Sequence, residues 1–527
     1  MTPLLSGRRW PMLLPLLSVP LLWLASPGGG GAWGLLAVAL IPLVFAIPAL
    51  TGRQSLATGT ITGCLLFVVL LYWIVSVVSN FGGLPLFIAI PALLLLSLYL
   101  GLYLGLFFVL SRLILRALPP LLALFCLPAL WVGLDWLRSI VGGGFPWLDL
   151  GYYLAAAPAL LQLADLAGHP GLTYVIVLIN TCLAMQLAPR STVAMRLQLA
   201  LPVLVIIILA ALYSRQRWQE MVATISDPLE SRMWIGVVQG NIDQSLKWSP
   251  ENQQTTVATY LRETQSLFSE QRPELVVWPE TALPFFPPTY PDLGVLQGLA
   301  AQYDFALLTG APWYEVIDLA TRNIRYFNSA VLLQPDGQFT ARYDKSHLVP
   351  FGEYVPLKKY LPFIAPLVET VGDFTPGKVE NPPVWRNVSA GVLICYESIF
   401  GDIARGWVKA GANVLVNLTN DAWYGKSSAP HHSWAMSILR AVETRRSLVR
   451  AANTGISGFV DPLGRVRQVS QIFVTTALVD DVVLLDDETY FVRWGYLFAP
   501  LCLGLAVVAA LLAFFRQRFL VDSSASR

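Results

Sequence analysis

Residues 391–397 read Gly391-Val392-Leu393-Ile394-Cys395-Tyr396-Glu397. A continuous apolar run bounded by glycine on one side and polar residues on the other is the pattern of a strand buried on both faces. It leads into an expected helix at 399–411, which puts Cys395 at a strand-to-helix elbow. A thiol beside a helix N-terminus is biased towards its thiolate.

Two further segments share this form. Leu275-Val276-Val277-Trp278-Pro279-Glu280 is an apolar strand that stops at a proline and presents a carboxylate, and Arg342-Tyr343-Asp344-Lys345-Ser346-His347 closes a strand with an ammonium. Other expected strands cover 234–239, 305–309, 327–333, 339–343, 414–418, 448–452 and 458–460. Pro335-Asp336-Gly337 and Asp461-Pro462-Leu463-Gly464 supply turns, and helices are expected over 250–270, 292–303, 399–411 and 432–446. Strands alternating with helices imply a layered α/β domain.

That domain is one part of a chain of two materials. Of 68 charged residues in 527, 11 fall in residues 1–213, 53 in 214–493 and 4 beyond. With 55% hydrophobic residues, 13% charged and a mean hydropathy of +0.59, an ordinary water-soluble globule is excluded. The net charge of +2 gives no positive field for nucleic acid. Residues 10–52 and 54–111 carry no charge and are each long enough for two spans of roughly 20 residues, broken near Gly28–Gly31 and Asn80–Gly83. Uncharged stretches at 117–134, 166–189, 197–214 and 494–515 add four more. The expectation is eight transmembrane helices: a bundle of seven over 1–213, an external domain over 214–493, an eighth helix over 494–515, and a cytoplasmic tail over 516–527.

Orientation follows from arginine placement. With the N-terminus inside, Arg8, Arg9, Arg53, Arg112, Arg116, Arg190, Arg196, Arg516 and Arg518 all lie inside, and only Arg138 sits in a short outer loop. The polar segment then faces the far side of the membrane. The basic start and apolar run of residues 8–27 also fit a signal peptide, but the spans that follow directly favour an uncleaved first helix.

Of five cysteines, Cys64, Cys126, Cys182 and Cys502 lie in expected spans, where a thiol is a small apolar filler. Cys395 alone belongs to the external domain, so no structural disulfide is available to it there. Burial and nucleophilic chemistry are its two readings.

Taken in order, W-P-E at 278–280, D-K-x-H-L-V-P-F-G-E at 344–353 and C-Y-E at 395–397 resemble the nitrilase, or carbon–nitrogen hydrolase, superfamily. That resemblance implies an αββα sandwich and a Glu280–Lys345–Cys395 triad. With the membrane spans, Val238-Gln239-Gly240-Asn241 leading to Leu246-Lys247-Trp248, and Pro350-Phe351-Gly352-Glu353-Tyr354-Val355-Pro356, the whole chain is similar to the apolipoprotein N-acyltransferase family. The resemblance implies a multi-pass protein of the inner membrane with its catalytic domain on the periplasmic side. It further implies a phospholipid acyl donor, a Cys395 thioester, and a diacylated apolipoprotein whose N-terminal amine receives the chain.

In that chemistry Glu280 is the general base and Lys345 the oxyanion partner. Glu353, Tyr396 and Glu397 are supporting candidates, with a surface carboxylate, a packed aromatic and a helix-capping acid as their plain alternatives. Trp248 and Trp423 either line an acyl path or fill the core, and Asn328 is read as fold support. No cofactor is called for, and the four histidines, His169, His347, His431 and His432, form no metal-ligand pattern with cysteine. The apolar stretch Leu361–Val368 in the polar domain, with Lys358 and Lys359 ahead of it, suggests a lid dipping into lipid. A membrane-tethered amidase shares the triad but needs one helix, not eight. A transporter would draw on Asp135, Arg138, Asp149 and Asp165, which cluster at expected span ends.

Overall fold

The computed structural model describes residues 10–189, 192–244, 247–269, 271–289, 293–318, 320–321, 323–350, 352–354 and 374–525. The chain forms two compact units. One comprises Met1–Val75, Pro85–Arg217 and Trp494–Arg527; the other comprises Ser76–Leu84 and Trp218–Arg493.

Among the described residues six helices are long and apolar enough to cross a membrane: Gly52–Leu71, Leu86–Ala117, Pro120–Gly143, Pro158–Gln186, Val193–Ser226 and Tyr490–Arg518. This corrects the expected eight. The charge-free run 10–52 yields only Trp10–Ala25 and Trp33–Ala49, each shorter than 18 residues. At 1.5 Å per residue such a helix reaches less than about 27 Å, short of a hydrocarbon core of about 30 Å. Both are broken by 3₁₀ turns and carry prolines, at 11, 15 and 20 in the first and at 42 and 48 in the second. Proline removes a backbone donor and interrupts the helical ladder. Absence of charge measured apolar length, not unbroken helix.

The helical unit is held by close backbone contact and by paired polar groups. Gly59 and Gly63 on one helix face Gly101 and Gly105 on the next. A Cβ on Gly63 would come within 2.8 Å of the Gly101 Cα. Small residues four apart permit this approach where apolar burial drives no association between helices. Among the described residues, Asp149 and Asp165 are paired within this unit. Asp149 binds Arg138 and stands 3.0 Å from His169 Nε2, while Asp165 accepts from Tyr213 at 2.7 Å and Arg217 at 2.9 Å.

The second unit is built on two six-stranded mixed sheets. In chain order the strands are β1 (Arg232–Gln239), β2 (Leu275–Val277), β3 (Ala306–Asp318), β4 (Asn323–Leu333), β5 (Phe339–Asp344), β6 (Val384–Trp385), β7 (Val388–Ile394), β8 (Val414–Thr419), β9 (Ser447–Ala452), β10 (Gly458–Val460), β11 (Val466–Val469) and β12 (Thr476–Val483). One sheet runs β12-β1-β2-β3-β4-β5 and the other β11-β10-β9-β8-β7-β6. Helices Pro250–Leu267 and Gly294–Tyr303 bury Tyr260, Leu267, Leu296 and Ala300 against Val238, Val276, Leu307 and Val331 of the first sheet. Helices Gly401–Lys409 and Ala429–Thr444 pack on the second sheet. The sheets meet through β1 and β9, where the Asn241 N–H donates to the Asn453 carbonyl at 2.9 Å and Ser457 donates to Gln239 at 2.6 Å.

Three strands lack the apolar run that marks the others. β6 is two residues long, β11 is half polar and mostly exposed, and β12 carries Asp480 and Asp481 in its middle. The segment suggested as a lid, Leu361–Val368 with Lys358 and Lys359, lies outside the described residues.

Candidate active site

Glu280, Lys345 and Cys395 each follow the C-terminal end of a strand, β2, β5 and β7 respectively, the rim where open α/β sheets expose chemistry. All three are buried. Lys345 Nζ stands 3.7 Å from Glu280 Oε1 and 3.0 Å from the carboxylate of Glu353. Asn328, inside β4, donates its single side-chain nitrogen to both acids, at 2.8 Å to Glu280 and 2.8 Å to Glu353. The Val349 N–H closes the second Glu353 oxygen at 2.8 Å. Burial alone would lower the Lys345 pKa, but Glu353 and then Glu280 outweigh it and hold the ammonium above its ordinary range. A fixed positive charge is thus kept in a dry site, where it acts with little screening.

The Glu280 turn depends on local backbone detail. Thr281 has φ +48°, left-handed for a β-branched residue. The buried Lys247 braces that turn, donating to the Glu280 carbonyl at 3.1 Å and to the Thr281 hydroxyl at 2.6 Å. Across the turn, Gly310 of β3 donates its N–H to the Pro279 carbonyl at 3.1 Å. A Cβ on Gly310 would lie 2.6 Å from the Glu280 Cα, so only glycine fits there.

Cys395 begins a five-residue 3₁₀ turn, Cys395–Ile399, with φ +52°. Its strained elbow is the geometry that lifts a nucleophile off a strand end. The expected bias to thiolate is not what the surroundings produce. Burial first, then the negative charge of Glu280, push the thiol up to about 12, with Lys345 and a Thr419 hydrogen bond only partly offsetting them. A single 3₁₀ turn has too little dipole to reverse this. These surroundings favour the protonated thiol, with Glu280 the carboxylate that acts on it most strongly.

Glu397 is not a surface cap. Fully buried, it accepts from the Ile394 N–H at 2.8 Å, the Tyr343 hydroxyl at 2.8 Å, the Ser346 N–H and hydroxyl each at 2.7 Å, and the His347 N–H at 3.0 Å. It thus joins the strand end carrying Lys345 to the strand end carrying Cys395. Tyr396 is buried with its ring 5.1 Å from Phe400, which in turn packs on His347 at 4.0 Å. Trp248 and Trp423 are half-buried; Trp423 meets Phe81 edge-on at 4.9 Å.

Three groups escaped the sequence reading. Asn328 bridges two acids instead of merely supporting the fold, and the signal was a polar pair, Asn328-Ser329, inside an otherwise apolar strand. Lys247 stood in a stretch that carries the family resemblance, but nothing in its spacing marked it as a buried brace for the Glu280 turn. Behind Cys395, Thr419 donates to Asp421 at 2.9 Å, and the buried Arg450 binds the other Asp421 oxygen at 3.0 Å.

Two family models match the chain: the apolipoprotein N-acyltransferase N-terminal domain over residues 9–182, and carbon-nitrogen hydrolase over residues 234–479. An apolipoprotein N-acyltransferase of Geobacter metallireducens is 37% identical over 515 residues, spanning 96% of this chain and 95% of its own. Relatives of the same name from Gloeobacter violaceus and Chlorobaculum tepidum are 34% and 28% identical, covering 92% and 96% of this chain and 92% and 97% of theirs.

Proposed function

The chain belongs to the apolipoprotein N-acyltransferase family, and from that premise we propose that it works by a two-step acyl transfer through Cys395, with Glu280 and Lys345 as its partners. The near-full-length match across both units supports this activity over hydrolysis of a soluble C–N bond.

In the first step Glu280 takes the thiol proton as the sulfur attacks the ester carbonyl of a phospholipid acyl chain. The ammonium of Lys345 faces the oxyanion that develops, the C–O bond breaks, and the departing lysophospholipid oxygen receives the proton from Glu280. In the second step the N-terminal amine of a diacylglyceryl-cysteine lipoprotein attacks the thioester, and the sulfur leaves. Glu353 neutralises the standing charge of Lys345, which leaves Glu280 free to cycle as a base.

The observation that carries this reading is the buried cluster of one ammonium and two carboxylates, 3.0 Å and 3.7 Å from it, with Cys395 close enough to interact electrostatically with Lys345 and Glu280. Membrane-length helices serve a lipid donor, because lifting an acyl chain into water costs about 0.8 kcal/mol per CH₂. On orientation, Arg53 and Arg196 lie near the N-termini of Gly52–Leu71 and Val193–Ser226, and Arg112, Arg116, Arg516 and Arg518 near the C-termini of Leu86–Ala117 and Tyr490–Arg518, which are one side if successive helices alternate in direction. Arg138 and Arg217, at the other ends, are ion-paired. By the positive-inside rule the polar unit then emerges on the non-cytoplasmic side, which for an inner-membrane protein is the periplasm.

The test combines purified protein in vesicles of phosphatidylethanolamine and phosphatidylglycerol with a synthetic S-diacylglyceryl-cysteine peptide. Mass analysis is expected to find one added acyl chain on the peptide amine with the native protein and none with Cys395→Ala. A Cys395→Ala protein that still adds the chain overturns the reading.

A further inference from the structure

Two acceptor atoms in the site are left over by the chemistry above. Glu280 uses Oε1 to receive Asn328, while its Oε2 is buried with no hydrogen-bond partner among the described residues. Asn328 spends its nitrogen on Glu280 and Glu353, and its Oδ1 is buried and unpartnered in the same way. The two residues are 6% and 4% exposed. The Asn328 amide has only one sensible orientation, because reversing it would set its oxygen against two carboxylates. Its Oδ1 is therefore aimed by charge, and a donor brought to such a buried acceptor relieves a desolvation cost.

We propose that Asn328 Oδ1 and Glu280 Oε2 together receive the N-terminal ammonium of the acceptor in the second step. This inference rests on the acyl-transfer reading and specifies how the amine is recognised. The ammonium gives one proton to Glu280 Oε2 and is held through a second N–H by Asn328 Oδ1. Its freed lone pair forms the C–N bond at the thioester carbon. As the C–S bond breaks, the sulfur takes the proton back from Glu280. The carboxylate, free again, removes the surplus proton from nitrogen and passes it to solvent, leaving an amide and a thiol. In the first step the phospholipid ester has no hydrogen to offer, so Asn328 Oδ1 stands idle. The oxygen is thus a binding group for the amine alone, whereas the Asn328 nitrogen serves both steps by holding the acids.

The two half-reactions separate these roles. With the full-length protein in phosphatidylethanolamine–phosphatidylglycerol vesicles, acylation is followed by the mass of the acyl-protein and aminolysis by decay of the preloaded thioester against increasing S-diacylglyceryl-cysteine peptide. Asn328→Leu, close in shape and lacking both polar atoms, is expected to lower the ratio of aminolysis to acylation rate by about tenfold or more, as befits loss of a hydrogen bond to a charged group. Asn328→Asp keeps an acceptor but replaces the donor with an oxygen of a third carboxylate beside Glu280 and Glu353, so it is expected to slow acylation strongly while keeping that ratio within about threefold of the native value, about 0.65 kcal/mol. Equal slowing of both steps by Asn328→Leu, or a fall in the ratio with Asn328→Asp as large as with Asn328→Leu, overturns the proposal. Should the native protein form no acyl adduct at all, the acyl-transfer reading itself fails, a result distinct from either.

Discussion

Ser346, the residue after Lys345, donates both its backbone N–H and its hydroxyl to Glu397, two residues after Cys395, each at 2.7 Å. One carboxylate therefore fixes the spacing between the ammonium and the thiol, on strand ends that belong to different sheets. Glu397→Gln replaces an acceptor facing five donors with a group that presents N–H to some of them. Misplacement of reacting groups by about 1 Å costs on the order of a hundredfold, so acyl-enzyme formation is expected to fall at least that far. Thermal unfolding should show a loss of about 2–4 kcal/mol from unsatisfied buried donors. A variant with native acylation rate would show that the hub does not set the geometry.

The resting thiol gives a second expectation. With Cys395 pushed up to about 12 by burial and by Glu280, its thiolate fraction at neutral pH is very small. Alkylation by iodoacetamide, mapped to the Cys395 peptide by mass spectrometry, should therefore rise about tenfold per pH unit from 7 to 10 without levelling. Levelling near the ordinary thiol range of roughly 8–9 would mean a stabilised thiolate instead.

Gly310 tests the Glu280 turn without touching a reacting group. Gly310→Ala sets a methyl against the Glu280 Cα and the Pro279 carbonyl. Both are backbone atoms and cannot swing aside. Activity is expected to drop by about a hundredfold while the helical unit keeps its circular-dichroism signature, and an active Gly310→Ala protein would refute the close approach.

Lys247 carries a pH dependence. Burial, only partly opposed by Glu280, lowers its pKa from 10.5 to about 8. Below about 8 the ammonium is charged in both the folded and unfolded chain, and its desolvation weighs fully against folding. Between about 8 and 10.5 the unfolded chain holds more proton than the folded one, so this group makes stability rise with pH across that window. Melting curves of native protein and Lys247→Met at pH 7.5 and 9.5 should differ in that the native protein gains relative to the variant on raising the pH. Parallel behaviour would show that Lys247 does not titrate there. Loss of its contacts with Glu280 and Thr281 should also reduce turnover at both pH values.

Much of the candidate site was legible because strand ends announce themselves. Leu393-Ile394 runs directly into Cys395, and Val276-Val277 reaches Glu280 after Trp278-Pro279, so each buried apolar run leads to one chemically distinct residue. Glu397 was visible as a neighbour of Cys395, but its partners, Tyr343 and Ser346, lie about fifty residues earlier, and no local pattern reports such a pairing. Asn328 was hidden for a related reason: a polar residue in a strand reads as outward-facing until the sheet that covers it is known. The membrane count failed where composition and helix continuity part company. Residues 10–52 are apolar enough for two spans, yet Pro15, Pro20, Pro42 and Pro48 break them into short pieces. Strands β11 and β12 were unmarked because edge and half-exposed strands carry charge, Asp480 and Asp481 among it.

The most direct measurement is the acyl adduct itself. Native protein mixed with phosphatidylethanolamine–phosphatidylglycerol vesicles and no acceptor should gain the mass of one acyl chain on the Cys395 peptide, removable by neutral hydroxylamine as a thioester, with lysophospholipid released in equal amount. Addition of S-diacylglyceryl-cysteine peptide should discharge it onto the peptide amine. An adduct on another residue, or triacylated product formed while Cys395 stays unmodified throughout, would contradict the account.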